Sequence, residues 1–124
     1  MTSEEKAELI VRTADDRQAR DMALLDLRGQ TLMTDYFFIC SGTSSTHIRT
    51  IVDKINEAMK HAGMGGIRVE GYDAAQWVLM DYGDVVVHVM APEQREYYSL
   101  EEFWADAKRV PLEPMLAAAT SKSS

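Results

Sequence analysis

The chain has 124 residues, and its composition, 46% hydrophobic and 27% charged, is typical of one globular domain with its own core. Its net charge of −7 is concentrated in residues 66–106, where nine acidic residues accompany only two basic ones, so this segment cannot supply the cationic contacts on which nucleic-acid affinity depends. The apolar runs are too short to cross a bilayer, and the N-terminus does not resemble a signal peptide, so we expect a cytoplasmic protein with no membrane partner.

The acidic segment has two interpretations. It can be a solvated surface that keeps the protein soluble, which composition alone favours, or a docking surface for a basic protein. The single cysteine, Cys40, permits no internal disulfide, and His47, His61 and His88 do not show the spacing of metal ligands. We therefore expect no metal and no cofactor.

The first elements follow local signals. The capping-box pattern of residues 2–5 predicts a helix that ends near Ala19. Strands are predicted at residues 21–27 and 35–40. The second of them is apolar throughout, which predicts a central position in the sheet.

The next helix has the clearest pattern in the chain. It follows the polar turn of residues 41–45, and Gly63 is placed to end it. Its apolar residues recur at intervals of three and four and form one stripe: Ile48, Ile51, Val52, Ile55 and Met59.

The remaining elements complete the predicted order α-β-β-α-β-β-β-α. A short strand is predicted at residues 67–70, and a hairpin follows at 77–90. The last helix is predicted to begin at a capping box of residues 99–102, with Tyr98 and Phe103 as a hydrophobic staple, and to end at Pro111. The fold class is therefore α+β, a single domain of residues 1–110 with a mixed β-sheet flanked by helices, followed by a flexible tail of residues 111–124.

The hairpin has two different faces. Gly83-Asp84 suits a two-residue turn, which pairs Tyr82 with Val85 and sets the register of both strands. One face then carries only core residues. The other carries Asp81 beside Val86, Leu79 beside His88, and Trp77 beside Met90.

Three interpretations of that second face remain open. A helix can cover it, with His88 and Asp81 at the rim. It can be a partner-binding surface in which Trp77 anchors the partner and Asp81 meets a cation. Asp81 and His88 can also form an acid–base pair, although no nucleophile or metal site accompanies them.

The turn of residues 41–45 raises the alternative of a nucleotide-binding or nucleotidyltransferase-like enzyme. A turn before a helix can hold a phosphate, but this one lacks the lysine of a P-loop. A phosphatase loop beginning at Cys40 would need an arginine where Thr46 stands. We therefore expect a buried, inert thiol and no catalytic residues.

Three blocks, taken together, resemble the ribosomal silencing factor family, also called the Iojap family. They are DYFFICSGTSSTHI at 35–48, VEGYDAAQWVLMDYGDVVVHVM at 69–90 and REYYSLEEFW at 95–104, in the family's order and spacing. The resemblance implies a non-enzymatic factor that binds the large ribosomal subunit through its protein fourteen, blocks joining of the small subunit and represses translation when nutrients are limiting. It also implies a nucleotidyltransferase-like topology without catalytic carboxylates, and a homodimer off the ribosome.

The family's motif, carried onto this sequence, implies a partner-binding surface on the second face of the hairpin. The residues assigned to it are Trp77, Leu79, Asp81, His88 and Met90, together with Arg95, Tyr98 and Glu101 from the segment that follows. The chain departs from many relatives at Thr46, where they carry arginine, and Arg49 is the nearest basic residue one turn further on.

Overall fold

The computed structural model describes residues 1–65, 68–103 and 105–117. In chain order the elements are α1 Ser3–Asp16, β1 Arg20–Asp26, β2 Tyr36–Ser41, α2 Ser45–His61, β3 Arg68–Glu70, β4 Trp77–Asp81, β5 Val85–Met90, α3 Pro92–Tyr98, α4 Leu100–Phe103 and β6 Lys108–Arg109. No helix within these described ranges has both the length and the apolarity needed to span a bilayer.

The described strands form one six-stranded sheet in the order β3-β4-β5-β2-β1-β6. β2 and β5 are parallel, and the other pairs are antiparallel, so the sheet is mixed as predicted. β2 lies inside the sheet, which confirms the position expected from its apolar sequence. Parallel pairing of β2 and β5 requires a long crossover, and α2 with the β3–β4 segment provides it.

The main core lies between the sheet and the first two helices. α1 begins at the predicted capping box, in which the Thr2 side chain accepts a hydrogen bond from Glu5 N and the Glu5 side chain accepts one from Thr2 N. α1 ends at Asp16, three residues before the predicted end at Ala19. The whole apolar stripe of α2 is buried, as its periodicity predicted. We call the sheet face under α1 and α2 the inner face, and the opposite one the outer face.

The C-terminal third differs most from the sequence prediction. α3 and β6 were not predicted. A helix does begin after Ser99, as predicted, but α4 ends at Phe103 and not at Pro111, and the capping box at residues 99–102 is wrong. Ser99 instead ends α3 in the left-handed conformation, with φ 46°, and its hydroxyl donates to the Glu96 carbonyl. The side chain of Phe103 lies outside the described residues, so the proposed staple is not tested.

The segment after Arg109 packs on the domain where the structure describes it. Residues 113–117 form a helical turn, and Leu112, Met115 and Leu116 contact the main core as partly buried residues. The domain boundary at residue 110 and the flexible tail of residues 111–124 stay predictions. The predicted strand residue Ile67 and tail residues 118–124 lie outside the described residues.

Candidate functional site

The hairpin of β4 and β5 has the predicted register. Val78 pairs with Val89 and Met80 with Val87, and these side chains are buried on the inner face. The outer face carries the residues expected there: Trp77, Leu79, Asp81, Val86, His88 and Met90. Turn chemistry and side-chain alternation were therefore enough to decide which residues share the outer face.

Trp77 and His88 are joined by a hydrogen bond on the outer face. The indole Nε1 donates to His88 Nδ1 at 3.0 Å, and Trp77 remains partly buried, whereas His88 is 4% exposed. The Phe37 ring packs against the imidazole with centroids 4.8 Å apart. Burial lowers the pKa of His88 to about 4, because the charged imidazolium is disfavoured away from water.

A row of aromatic rings continues from this pair to the surface. The Tyr98 ring lies 4.7 Å from the Trp77 ring, and Tyr97 meets Tyr98 edge-on at 5.0 Å. Tyr97 is 81% exposed and Tyr98 is 49% exposed. We call Phe37, His88, Trp77, Tyr98 and Tyr97 the aromatic row. Its solvent-facing end therefore leaves aromatic surface exposed on the folded domain.

Sequence reasoning missed two members of this row. Tyr97 comes to it through α3. The available signal was Pro92, two residues after the end of β5, because proline is favoured at the first helical position. Phe37 belongs to β2, and its place beside His88 depends on the parallel pairing of β2 with β5. No local sequence pattern predicts the pairing of β2 with β5.

Arg95 and Glu101 form a clamp at the base of α3. Arg95 Nε and Nη2 donate to the two Glu101 carboxylate oxygens at 3.1 and 2.9 Å. Arg95 Nη1 also donates to the Asp21 carbonyl and to Ser41 Oγ. This hydrogen bonding with Arg95 lowers the pKa of Glu101. The side chains of both residues are thus occupied within the protein and hold α3 against β1 and β2.

Met90 cannot contact a partner in this conformation. It is fully buried in a small cluster on the outer face, with Leu25, Leu27, Ile39 and Ala107, against which Trp77 and Leu100 pack. The outer face is thus covered at the β1 and β2 side and open at the β4 side. The covered-face interpretation is right for Met90, but it placed His88 at the rim, and His88 is instead buried. Trp77 is not sealed beneath the protein's own helices.

Asp81 and Leu79 occupy the open part of the outer face, and both are only partly buried. The Asp81 carboxylate accepts a hydrogen bond from Gly83 N at 2.8 Å and so stabilises the hairpin turn. His88 Nδ1 is engaged by Trp77, and His88 Nε2 has no hydrogen-bond partner among the described residues, so the suggested acid–base pairing of Asp81 with His88 has no support in the described contacts.

Exposed acidic residues lie on the same short helix as the exposed end of the aromatic row. α3 presents exposed Glu93 and Glu96, while Arg95, its one basic residue, is turned into the clamp. An open cleft of about 710 Å³ beside α3 has more acidic than basic residues in its lining, namely Asp21, Glu96, Glu101 and Glu102 against Arg95 and Arg109. The surface is therefore apolar at its centre and negative at its rim.

The turn of residues 41–45 has the geometry of a helix cap. Ser44 Oγ accepts from His47 N, and Thr43 N donates to His47 Nδ1 at 2.9 Å, so this amide is not free for a phosphate. The adjoining cleft, about 630 Å³, has no lysine or arginine among its described lining residues and includes Glu93. This charge disfavours a nucleotide.

Neither thiol nor metal chemistry gains support from the described residues. Cys40 is fully buried, and burial raises the pKa of its thiol to about 12, so the reactive thiolate is disfavoured. Within the described ranges, no group of three or more histidine, cysteine, aspartate or glutamate side chains is arranged to hold a metal ion.

Comparison with known proteins points to one family. The family model described as "Ribosomal silencing factor during starvation" matches residues 1–124. The chain is 38% identical over 117 residues to "Ribosomal silencing factor RsfS" of Halalkalibacterium halodurans, covering 94% of this chain and 100% of that protein. It is 35% identical over 100 residues to mouse "Mitochondrial assembly of ribosomal large subunit protein 1", covering 78% of this chain and 44% of that protein. The crystal structure of CV0518 from Chromobacterium violaceum superposes with a TM-score of 0.81 at 32% identity, over 85% of this chain and 88% of that one.

Proposed function

The chain belongs to the ribosomal silencing factor family, and on this premise we propose that it binds the large ribosomal subunit through protein fourteen of that subunit. In the bound state it occupies space that the small subunit needs, so the two subunits cannot join. Translation is thereby repressed when nutrients are scarce. The action is steric, takes place in the cytoplasm and needs no catalysis and no cofactor. Direct contact with nucleic acid is not the main source of its affinity.

The observation that carries this proposal is the acidic rim around the exposed end of the aromatic row. Ribosomal proteins are basic as a class, so Glu93 and Glu96 favour their approach and orient it. Tyr97, Tyr98 and the free edge of Trp77 then supply apolar area at the centre of the contact. Aromatic anchors inside a polar rim are the usual composition of an energetically strong interface.

The roles within the proposed interface follow from exposure. Trp77, Leu79, Asp81, Tyr97 and Tyr98 are the residues proposed to touch the partner. Arg95 and Glu101 are proposed to hold α3 in place through their ion pair. Met90 and His88 are buried, so they are proposed to support the interface residues without touching the partner. Off the ribosome we propose that the protein is a homodimer, as the family resemblance implies. Sedimentation velocity of the free protein tests this by measuring the mass of the particle in solution.

The central test is Trp77→Ala, measured by co-sedimentation with purified large subunits. Truncating an anchor at the centre of an interface costs about 2 kcal/mol or more, so we expect affinity to fall more than about tenfold. Leu32→Ala is the matched control, because Leu32 is also apolar and is fully exposed. It precedes β2, at the opposite end of the paired strands from Trp77.

The expected result is loss of binding by Trp77→Ala and unchanged binding by Leu32→Ala, with both variants folded by circular dichroism. A folded Trp77→Ala protein that still co-sediments would refute the assigned surface. A second assay mixes separated subunits with saturating protein in a sucrose gradient. Normal formation of joined ribosomes there would refute the steric mechanism.

A further inference from the structure

We infer that His88 is a positioning residue for Trp77: it does not contact the partner but holds the indole, through the hydrogen bond to Nδ1, in the orientation that docks. The inference rests on the proposed function and deepens it. His88 is 4% exposed, too little for a direct contact, while the indole it holds is at the open part of the outer face.

The chemistry of the two rings defines the hydrogen bond. An indole N–H can only donate, so His88 Nδ1 must be the unprotonated acceptor, and the neutral ring carries its proton on Nε2. Since burial lowers the pKa of His88 to about 4, the ring stays neutral near pH 7, which is the protonation state in which Nδ1 can accept this hydrogen bond.

The second ring nitrogen shows that His88 is not simply filling space. Nε2 is buried and has no hydrogen-bond partner among the described residues. A buried polar group without a partner is unfavourable, and an apolar side chain of similar size would avoid that cost. The hydrogen bond to Trp77 is the interaction that an apolar residue could not replace.

Packing on both sides restricts the pair further. The Phe37 ring lies 4.8 Å from the imidazole, and the Tyr98 ring lies 4.7 Å from the indole. An indole already held in its docking orientation loses less conformational freedom on binding. Release of this restraint should therefore weaken binding even though the indole itself is still present.

Two substitutions separate the acceptor from the shape of the side chain. His88→Leu removes the acceptor and keeps an apolar group of comparable size, and we expect affinity for purified large subunits to fall about threefold to tenfold. His88→Asn places its Oδ1 near the position of Nδ1 and should keep affinity within about twofold. An equal loss in both folded variants would contradict the inference.

A double-mutant cycle tests whether His88 acts through Trp77. In a Trp77→Phe protein position 77 has no donor, so adding His88→Leu should change affinity less than about twofold. If His88→Leu lowers affinity in the Trp77→Phe protein as much as it does in the unmodified protein, His88 acts independently of the indole, and the inference is overturned.

The free protein provides a readout that does not involve the ribosome. In ¹⁵N-labelled protein we expect a scalar coupling across the hydrogen bond between Trp77 Nε1 and His88 Nδ1, assigned by its disappearance in Trp77→Phe and His88→Leu. Its absence from the unmodified protein would overturn the inference. If Trp77→Ala does not bind but His88→Leu binds normally, only this inference fails; if Trp77→Ala binds normally, the proposed function fails with it.

Discussion

At the scale of single residues, burial of His88 on the outer face makes the stability of the fold depend on pH. It is buried as a neutral ring, and burial lowers its pKa from 6.5 to about 4. The unfolded chain returns the ring to water and restores its ordinary pKa. Between these two values the unfolded chain binds more protons than the folded one, so stability must fall as the pH falls.

We predict that the free energy of unfolding decreases by about 2 kcal/mol between pH 7 and pH 5 because of His88 alone. Urea titrations at both pH values measure it. Glu101 and Asp26, whose pKa values are lowered by hydrogen bonds from arginine side chains, lose their contribution only at lower pH, because their ordinary pKa values are 4.5 and 3.8. His88→Leu should remove most of this decrease in the free energy of unfolding. If that variant keeps the same pH dependence, groups other than His88 cause the decrease.

At the scale of elements, the start of β4 depends on a close backbone approach. Gly71, with φ +83°, follows β3, and a Cβ at this position would lie 2.3 Å from the Trp77 carbonyl oxygen. The chain can therefore return from β3 to β4 only with glycine there.

We predict that Gly71→Ala lowers the free energy of unfolding by about 3 kcal/mol, the sum of left-handed strain and overpacking. Gly29→Ala is the matched control, since Gly29 has φ +87° but nothing within 4 Å of the added carbon, and it should cost only about 1 kcal/mol. Chemical denaturation of the three proteins measures both values. Equal losses at the two sites would show that the clash with the Trp77 carbonyl is relieved by a small shift.

At the scale of the whole molecule, negative charge lies on both sides of the sheet. α1, which covers part of the inner face, carries five acidic and two basic residues, and α3 presents Glu93 and Glu96 near the open part of the outer face. What favours a basic partner at the aromatic row is therefore the local charge of Glu93 and Glu96, and not a separation of charge between the two sides. At physiological ionic strength the attraction acts over a distance of about 8 Å, so it mainly affects the encounter and the rim of the contact.

We predict that Glu96→Lys slows association with large subunits about threefold at low salt, and that the difference shrinks as salt is added. Glu57→Lys makes the same charge change on the exposed side of α2 and should have a clearly smaller effect. Stopped-flow association rates over a salt series give both numbers. The same slowing in both variants would point to net charge, and not to the rim of the outer face, as the cause.

The sequence by itself determined the elements whose signals are local. Side-chain alternation and the Gly83-Asp84 turn were enough for the hairpin register and hence for the outer-face residues, since a shift by one residue would have put every apolar side chain on the wrong side. The stripe of α2 was likewise enough to predict its burial. These patterns repeat within a few residues, so they can be recognised without knowing the rest of the fold.

Only the tertiary structure decided what each outer-face residue does. Met90 and His88 are buried because segments distant in the chain, β2 and the stretch around Leu100 and Ala107, pack beside or over them. Arg95 is turned inward because Asp21, Ser41 and Glu101 converge on it. The alternation of side chains along a strand determines which side of the sheet a residue faces. Whether that side is covered depends on how distant segments return to it, and this is settled by the energy of packing the whole chain and not by any short pattern.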